Sequence, residues 1–305
     1  MAENSAIEWT DHTFNPWIGC TKVGPGCEHC YAEILATARL AVEWGPGAPR
    51  RHTAASTWQQ PRTWDRKAAA AGIRQRVFCA SLADVFDNEV PAEWRAELFA
   101  LIRETPNLDW LLVTKRIGNA HRMAEAAGGF PENVWLGATV VNQEEAERDI
   151  VKLRQTKYDA GFRVAFLSIE PLLGSIDIRD HLWPAHGWWT GPHRSYAEAK
   201  AAGAECGMKP QALLSADVAR SLVDWVIVGG ESGPQARPMH PDWARCLRDQ
   251  CDAAGTPFLF KQWGENAWVE RVEGDPSTLV AYRAGKKHAG RLLDGRTHDG
   301  SPVPR

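Results

Sequence analysis

Six short apolar runs, separated by helical patterns, constrain the fold of this 305-residue chain more than any other feature. The runs are residues 76–82, 109–114, 134–139, 163–169, 224–229 and 257–260. Each is the length of a strand and apolar along nearly its whole length, as expected of strands buried on both faces. Candidate helices separate them, at residues 30–44, 91–104, 119–127, 142–155 and 241–254. The alternation predicts a parallel α/β sheet with right-handed crossovers.

The six runs, together with a short strand expected before Cys20, predict six or seven parallel strands. We expect these strands to form a partial or closed (β/α) barrel of the TIM type, with insertions. Residues 1–264 would form the barrel, residues 182–222 an insertion in it, and residues 265–305 a C-terminal appendage. Hydrophobic residues make up 44% of the chain, which is enough for a sizeable core.

The composition excludes several classes of protein. The chain has 35 basic and 38 acidic residues and a formal charge of −3, so it is not basic throughout. The N-terminus has no signal-peptide pattern and no run of 18 apolar residues exists, so we expect no membrane association. Seven unevenly spread cysteines argue against a secreted disulfide scaffold. These features predict a protein of the reducing cytoplasm.

Three cysteines near the N-terminus form the clearest chemical motif. Cys20, Cys27 and Cys30 have the spacing C-x6-C-x2-C, with a Gly-Pro-Gly turn at residues 24–26. Cysteines grouped in this way usually bind metal. Three thiolates leave one coordination position open, which a catalytic metal or cluster needs. A structural zinc site completed by His29 is the alternative.

Polar and charged residues follow each apolar run, where parallel α/β folds place their functional groups. The residues concerned include Asp84, Lys115, Ser168, Glu170, Gly229, Gly230, Glu231 and Lys261. Asp84, Glu170 and Lys261 are candidate catalytic residues, although Asp84 and Glu170 could instead cap a helix or a loop. Lys115 and Lys261, with Arg116 and Arg237, are candidate anion binders. Surface salt bridges are the alternative for these four.

The sequence resembles radical S-adenosylmethionine (SAM) enzymes. It resembles more closely a phage-type family of radical-SAM-like proteins that has three N-terminal cysteines, a domain of unknown function associated with three-Cys-motif partner proteins. More distantly, it resembles radical SAM enzymes such as spore photoproduct lyase. The resemblance is carried by residues 19–33, 112–116, 166–173, 225–233 and 260–264.

The resemblance implies a 4Fe–4S cluster on Cys20, Cys27 and Cys30, with the fourth iron binding the amino and carboxylate groups of SAM. One-electron reduction, fed by a reductant protein, would then cleave the sulfonium and give a 5′-deoxyadenosyl radical. The usual radical SAM spacing is C-x3-C-x2-C, so this chain would have a longer loop. The residues expected to contact SAM are Gly229, Gly230, Glu231, Ser168 and Lys115.

Residues 50–76 are rich in basic side chains and carry two tryptophans. The basic residues are Arg50, Arg51, Arg62, Arg66, Lys67, Arg74 and Arg76, against a single acid, Asp65. Such side chains could neutralise phosphates while Trp58 and Trp64 stack on unpaired bases. The segment thus favours a DNA or RNA partner and, by analogy with photoproduct lyases, DNA repair or modification.

Two alternatives remain open for this segment and for the chain. The segment could be a solvated linker whose tryptophans pack on the barrel. The protein could also be a non-catalytic zinc or iron–sulfur protein of phage or mobile-element origin that binds nucleic acid.

Overall fold

The computed structural model describes residues 2–182, 223–270 and 279–302. The predicted insertion at 182–222 therefore lies outside the described residues, apart from Leu182. Twelve strands are present in the described part of the chain. They are β1 (Ala2–Glu3), β2 (His12–Phe14), β3 (Trp17–Ile18), β4 (Arg51–His52), β5 (Gln75–Cys79), β6 (Leu108–Thr114), β7 (Val134–Thr139), β8 (Val164–Ile169), β9 (Trp225–Gly229), β10 (Phe258–Gln262), β11 (Asn266–Glu270) and β12 (Leu279–Arg283).

Eight of these strands form one sheet in the order β1-β2-β5-β6-β7-β8-β9-β10. The seven strands from β2 to β10 are parallel, and β1 adds to β2 in the antiparallel direction. In the described residues β1 and β10 are the two edges, so the sheet is a curled half-barrel. The predicted partial barrel of six or seven parallel strands is confirmed.

Nine helices lie in the described residues. They are α1 (Tyr31–Leu40), α2 (Ala55–Trp58), α3 (Gln60–Ala71), α4 (Ala92–Glu104), α5 (Ile117–Glu125), α6 (Gln143–Ala160), α7 (Arg179–Leu182), α8 (Pro241–Ala254) and α9 (Lys286–Ala289). The five predicted helices correspond to α1, α4, α5, α6 and α8. The side chain of Asn142 accepts from the backbone N–H of Glu145 and caps α6, as its sequence indicates. None of these helices is both long and apolar enough to cross a bilayer.

Alternate residues of each strand face opposite sides of the sheet, and the two sides are packed differently. On the convex side, Leu112, Leu136 and Leu167 belong to the large core shared with the helices. On the concave side, a smaller cluster fills the inside of the half-barrel with bulky side chains, namely Trp9, Phe78, Leu111, Trp135, Val164, Phe166, Trp225, Ile227 and Leu259. The concave face therefore has a packed floor, and its open end lies at the carboxyl ends of the strands.

The C-terminal residues return to the half-barrel after the β11–β12 hairpin. Asp299 pairs with Leu259 in the antiparallel direction and so covers the edge of β10. At the amino ends of the strands, the Arg76 guanidinium lies over the rings of Trp135 and Trp225 and donates to Ser301 Oγ. The described residues after 264 thus pack on the barrel, and their assignment to a separate appendage stays a prediction.

Candidate functional site

The three cysteines of the N-terminal motif surround one cavity at the carboxyl ends of β5 and β6. Cys20, Cys27 and Cys30 all line this cavity, whose volume is about 120 Å³. Residues Pro25–Cys27 form a single 3₁₀ turn that brings the second cysteine back toward the sheet. A Cβ on Gly26 would lie 2.7 Å from Val141 Cγ1, so a glycine at this position allows the loop to approach the strand ends closely. We call residues 20–30 the cysteine loop.

A buried arginine holds the first cysteine. Arg116 Nη1 donates to Cys20 Sγ at 3.3 Å and to Asp84 Oδ2 at 3.2 Å, while Nη2 donates to the carbonyl of Thr21 at 2.6 Å. Burial raises the pKa of the Cys20 thiol to about 11, the charge of Asp84 acts in the same direction, and Arg116 acts against both. The first cysteine is therefore only partly exposed and lies beside the buried charges of Arg116 and Asp84.

A larger cavity of about 450 Å³ adjoins the first along the concave face of the sheet. The two cavities share Cys30, Tyr31 and Lys115 among their lining residues. Six residues predicted from the strand ends line the larger cavity: Lys115, Ser168, Glu170, Gly230, Glu231 and Lys261. The predicted polar rim and the cysteine loop thus meet in one continuous site.

Glu170 and Lys261 form an ion pair in the wall of the larger cavity. Lys261 Nζ donates to both carboxylate oxygens of Glu170 at 2.8 Å, and Gln262 Nε2 donates to Oε1 at 3.0 Å. Both side chains are mostly shielded from solvent. The structure therefore brings these two candidate catalytic residues together: Glu170 directly follows β8, and Lys261 lies near the carboxyl end of β10.

Glu231 joins the end of β9 to the cysteine loop through Arg237. The carboxylate of Glu231 accepts from Nε and Nη2 of Arg237, and His29 Nδ1 lies 3.3 Å from it. Arg237 also donates to Glu28 Oε2 and to the carbonyl of Pro25. Burial acts to raise the pKa of Glu231, but the donors from Arg237 and His29 outweigh it and hold that pKa below its usual value. Glu231 is therefore a carboxylate that anchors the loop.

The two glycines after β9 pack against protein backbone and side chain. A Cβ on Gly230 would lie 1.9 Å from the carbonyl oxygen of Trp263, and one on Gly229 would lie 3.2 Å from Glu170 Cδ. Gly230 is thus required for the close approach of two backbone segments. Contact of either glycine with SAM stays a prediction.

Asp84 lines the cysteine cavity, and its carboxylate accepts hydrogen bonds from four groups of the protein. It accepts from Thr114 Oγ1 at 2.8 Å, from the backbone N–H groups of Phe86 and Lys115 at 2.9 and 3.0 Å, and from Arg116. These donors are those expected of a residue that fixes the ends of β5 and β6. A catalytic role for Asp84 stays a prediction.

Two further residues of the larger cavity were not among the predicted site residues. Trp9 Nε1 and Thr139 Oγ1 are buried and have no hydrogen-bond partner among the described residues, and both residues line the cavity. A buried polar atom without a partner calls for an explanation such as a ligand or an ordered water. The position of Thr139 at the end of a strand was the available signal; Trp9 lies in a segment without periodicity.

The sequence matches, over residues 4–302, a family described as protein of unknown function DUF5131. The chain belongs to this family. No curated protein is significantly similar in sequence to this DUF5131 chain.

Among solved structures, the DUF5131 chain is similar to spore photoproduct lyase complexed with dinucleoside spore photoproduct. The identity is 11%, the TM-score is 0.45, and the similarity covers 93% of this chain and 72% of that one. A second structure of the same lyase, with bound AdoMet and dinucleoside spore photoproduct, gives 11% identity and a TM-score of 0.43 over 90% and 69% of the two chains.

The zinc alternative finds no support in the geometry of the DUF5131 chain. Within the described residues, no three side chains of His, Cys, Asp or Glu are close enough together to hold a single metal ion. His29, the expected fourth ligand, instead lies next to Glu231. The three thiols line one cavity, and their binding of a cluster stays a prediction.

The basic segment of the DUF5131 chain, residues 50–76, is largely folded into the barrel. Trp58 and Trp64 are buried in the main core, so the interpretation of these indoles as stacking surfaces for bases is wrong. The two tryptophans pack on the barrel as the alternative expected, but the segment forms helices α2 and α3 rather than a solvated linker. Arg50 is buried as well and pairs with Asp87. Arg62 and Arg74 pair with Glu104 and Asp109. A nucleic-acid partner stays a prediction, carried by the remaining cations.

Proposed function

We propose that this protein is an iron–sulfur, SAM-dependent enzyme that binds a 4Fe–4S cluster through Cys20, Cys27 and Cys30 and binds SAM in the adjoining cavity. One observation carries the proposal: a cavity bordered by the three thiols opens into a larger one lined by six polar residues from the strand ends.

The residues present fit such a pair of ligands. A volume of about 450 Å³ lies within the range of about 300–1,000 Å³ that small-molecule sites occupy. The unpartnered Trp9 N–H and Thr139 hydroxyl offer hydrogen bonds to a bound molecule. Phe78 and Tyr31 add apolar wall against which a flat base could pack. The cavity therefore offers aromatic, hydrogen-bonding and charged groups, as a sulfonium nucleoside with a carboxylate requires.

The cluster, when bound, would supply the electron that cleaves the sulfonium of SAM. The protein's own residues would do the rest. The Lys115 ammonium lies between the two cavities and would bind the carboxylate of SAM, while the Ser168 hydroxyl would bind its ribose or the substrate. The aromatic side chains of the concave face would exclude water from the reacting atoms. Glu170, which accepts hydrogen bonds from Lys261 Nζ, would accept a further hydrogen bond or a proton from the substrate at its carboxylate.

Anaerobic reconstitution tests the proposal. The protein incubated with iron and sulfide should become brown, with broad visible absorption that bleaches on reduction. Addition of SAM and dithionite should then yield 5′-deoxyadenosine. Cys27→Ala should lose both the colour and the product, because one of three cluster ligands is gone.

Cys246→Ser is the matched control, since Cys246 is an exposed thiol on α8, away from the cysteine loop. It should keep the colour and the product. A colourless wild-type protein would contradict the cluster. A brown protein that forms no 5′-deoxyadenosine would instead favour the alternative of a non-catalytic iron–sulfur protein.

We also carry forward a nucleic acid or a nucleotide as the substrate class, with DNA repair or modification as the activity. What supports it is the set of cations of residues 50–76 that are at least partly exposed, such as Arg51 and Arg66. Affinity for single-stranded DNA should fall as salt rises, and Arg51→Gln with Arg66→Gln should reduce the salt dependence. Affinity that does not depend on salt would contradict this substrate class. The three-Cys-motif partner protein, the phage origin, the reductant protein and the cytoplasmic location stay predictions.

A further inference from the structure

The contact between Arg116 and Cys20 assigns a role to a residue that the proposed site does not yet use. We propose that Arg116 is a positioning residue that fixes Cys20 and, together with Asp84, sets the reduction potential of the cluster. This inference rests on the proposed function.

The contact geometry makes Arg116 a clamp on the first cysteine. One nitrogen of its guanidinium donates to Cys20 Sγ and the other to the carbonyl of Thr21, so that both the side chain and the following backbone are held. The backbone N–H of Arg116 donates in turn to Thr114 Oγ1. This bond ties the backbone of Arg116 to the last residue of β6. Among the described residues, neither Cys27 nor Cys30 has a charged side chain as a hydrogen-bond donor. The three sulfurs are therefore not equivalent.

Burial makes the charge of Arg116 effective. Its side chain is 7% exposed, as is that of Asp84, and the two groups form an ion pair beside the sulfur. Charges interact more strongly in such surroundings than in water, because little solvent screens them. A nearby cation stabilises the more negative state of a redox centre, and a nearby carboxylate destabilises it.

The cluster gains one negative charge when it accepts an electron from the reductant. The guanidinium of Arg116 should therefore raise the reduction potential, both through its charge and through its hydrogen bond to the sulfur. The carboxylate of Asp84 should lower the potential. The reduction potential would therefore depend on two charges beside Cys20 that act in opposite directions.

Redox titrations of the reconstituted protein, followed by the spectrum of the reduced cluster, test the inference without measuring turnover. Arg116→Gln should lower the reduction potential, so that at a fixed potential the ratio of reduced to oxidised cluster falls at least tenfold, or about 59 mV for one electron. Asp84→Asn, which keeps the shape of the side chain and removes its charge, should shift the potential in the opposite direction. Arg116→Lys keeps the charge and should restore part of the loss.

Arg95→Gln is the matched control, because Arg95 is also a buried arginine but donates to the carbonyls of Val85 and Asp87 and not to the cysteine loop. It should shift the potential less than Arg116→Gln does. If Arg116→Gln does not bind a cluster, the opposite shifts of Asp84→Asn and Arg116→Lys carry the test. Potentials that are unchanged, or that move in the same direction in Arg116→Gln and Asp84→Asn, would overturn this inference alone. A wild-type protein without a cluster would overturn the proposed function, and this inference with it.

Discussion

At the residue scale, the absence of a Cβ at two glycines allows the loops of this site to pack closely together. Gly230 is the clearest case, because its backbone meets the backbone of Trp263 and Gly264 with no room for a side chain. Gly26 lets the cysteine loop approach the side chains of Val141 and Pro171, because a Cβ at this position would lie 2.7 Å from Val141 Cγ1. Glycine at both positions serves the packing of the protein itself, before any ligand is considered.

Gly230→Ala should therefore destabilise the fold. Its Cβ would overlap the carbonyl oxygen of Trp263, and overpacking of this kind costs about 2 kcal/mol or more. Urea unfolding of the apoprotein measures the loss. Gly118→Ala is the control, because Gly118 lies in α5 with its nearest neighbour, Lys152 Cδ, at 3.8 Å, and it should gain about 0.5 kcal/mol. An unchanged stability of Gly230→Ala would contradict this account of the turn.

The site residues show what sequence reasoning can and cannot locate. The strand ends were identifiable, and six of the predicted residues line one cavity because parallel strands end at the same edge of the sheet. The partners of those residues were not identifiable. The contacts of Arg116 with Cys20 and of Arg237 with Glu28 join residues that are 96 and 209 positions apart, and no local pattern specifies either contact.

At the element scale, the cysteine loop is held from two sides. Arg116 holds its beginning from the end of β6, and Arg237 holds residues 25–28 from the segment after β9. The loop itself contributes the backbone hydrogen bonds from Cys27 to Gly24 and from Glu28 to Pro25. A loop with few internal bonds thus gains its geometry from the barrel.

Arg237→Gln should loosen the cysteine loop. The variant loses charge-assisted bonds to Glu231, Glu28 and Pro25, so the free energy of local opening should fall by about 2 kcal/mol. Hydrogen exchange at the amides of Cys27 and Glu28 reports it. Arg245→Gln, which breaks a surface pair with Asp294, should leave these amides unchanged. Equal exchange in Arg237→Gln and wild type would show that the clamp is unimportant.

The buried His181 in α7 makes the stability of the folded protein depend on pH. Burial, with the charge of Arg154, lowers the pKa of His181 from 6.5 to about 4. Between these values the unfolded chain binds more protons than the folded one, so stability is complete above the unfolded pKa and is lost as the pH falls. Unfolding of the apoprotein should cost about 2 kcal/mol less at about pH 5 than at about pH 7. The loss should be smaller in His181→Gln; an equal loss would contradict the assignment.

Helices were predictable where periodicity and end signals coincided. Helix α8 has proline at its start and Gly255 after its end, and its predicted bounds are those observed. Helix α3 was missed because its basic and glutamine residues suggested a linker. Its apolar positions, Pro61, Trp64 and Ala68, are three and four residues apart and are buried on one face. The burial of Trp64 depends on the barrel, which no local signal describes.

At the scale of the whole molecule, an open half-barrel must protect its two edges. β1 covers β2 at one edge, and residues near Asp299 cover β10 at the other. Trp225 Nε1 donates to the carbonyl of Gly300, so the same segment also joins the floor of the concave face. An uncovered strand edge invites pairing with another chain.

Removal of residues 295–305 should therefore destabilise the barrel and promote association. The shortened chain loses the backbone bonds from Phe260 to His298 and from Gly300 to Phe258, and exposes the edge of β10. Thermal unfolding and light scattering would measure the two effects. A chain ending at residue 302 is the control. A truncated protein with unchanged stability and no association would contradict the role assigned to this segment.

The central claim is that three thiols hold a cluster whose open iron binds SAM from the adjoining cavity. Electron paramagnetic resonance of the anaerobically reduced protein, recorded with and without SAM, tests it most directly. The account predicts a signal from a reduced 4Fe–4S cluster that changes when SAM is added and is absent in Cys27→Ala. A signal that SAM leaves unchanged, or the absence of any cluster signal in the wild-type protein, would contradict it.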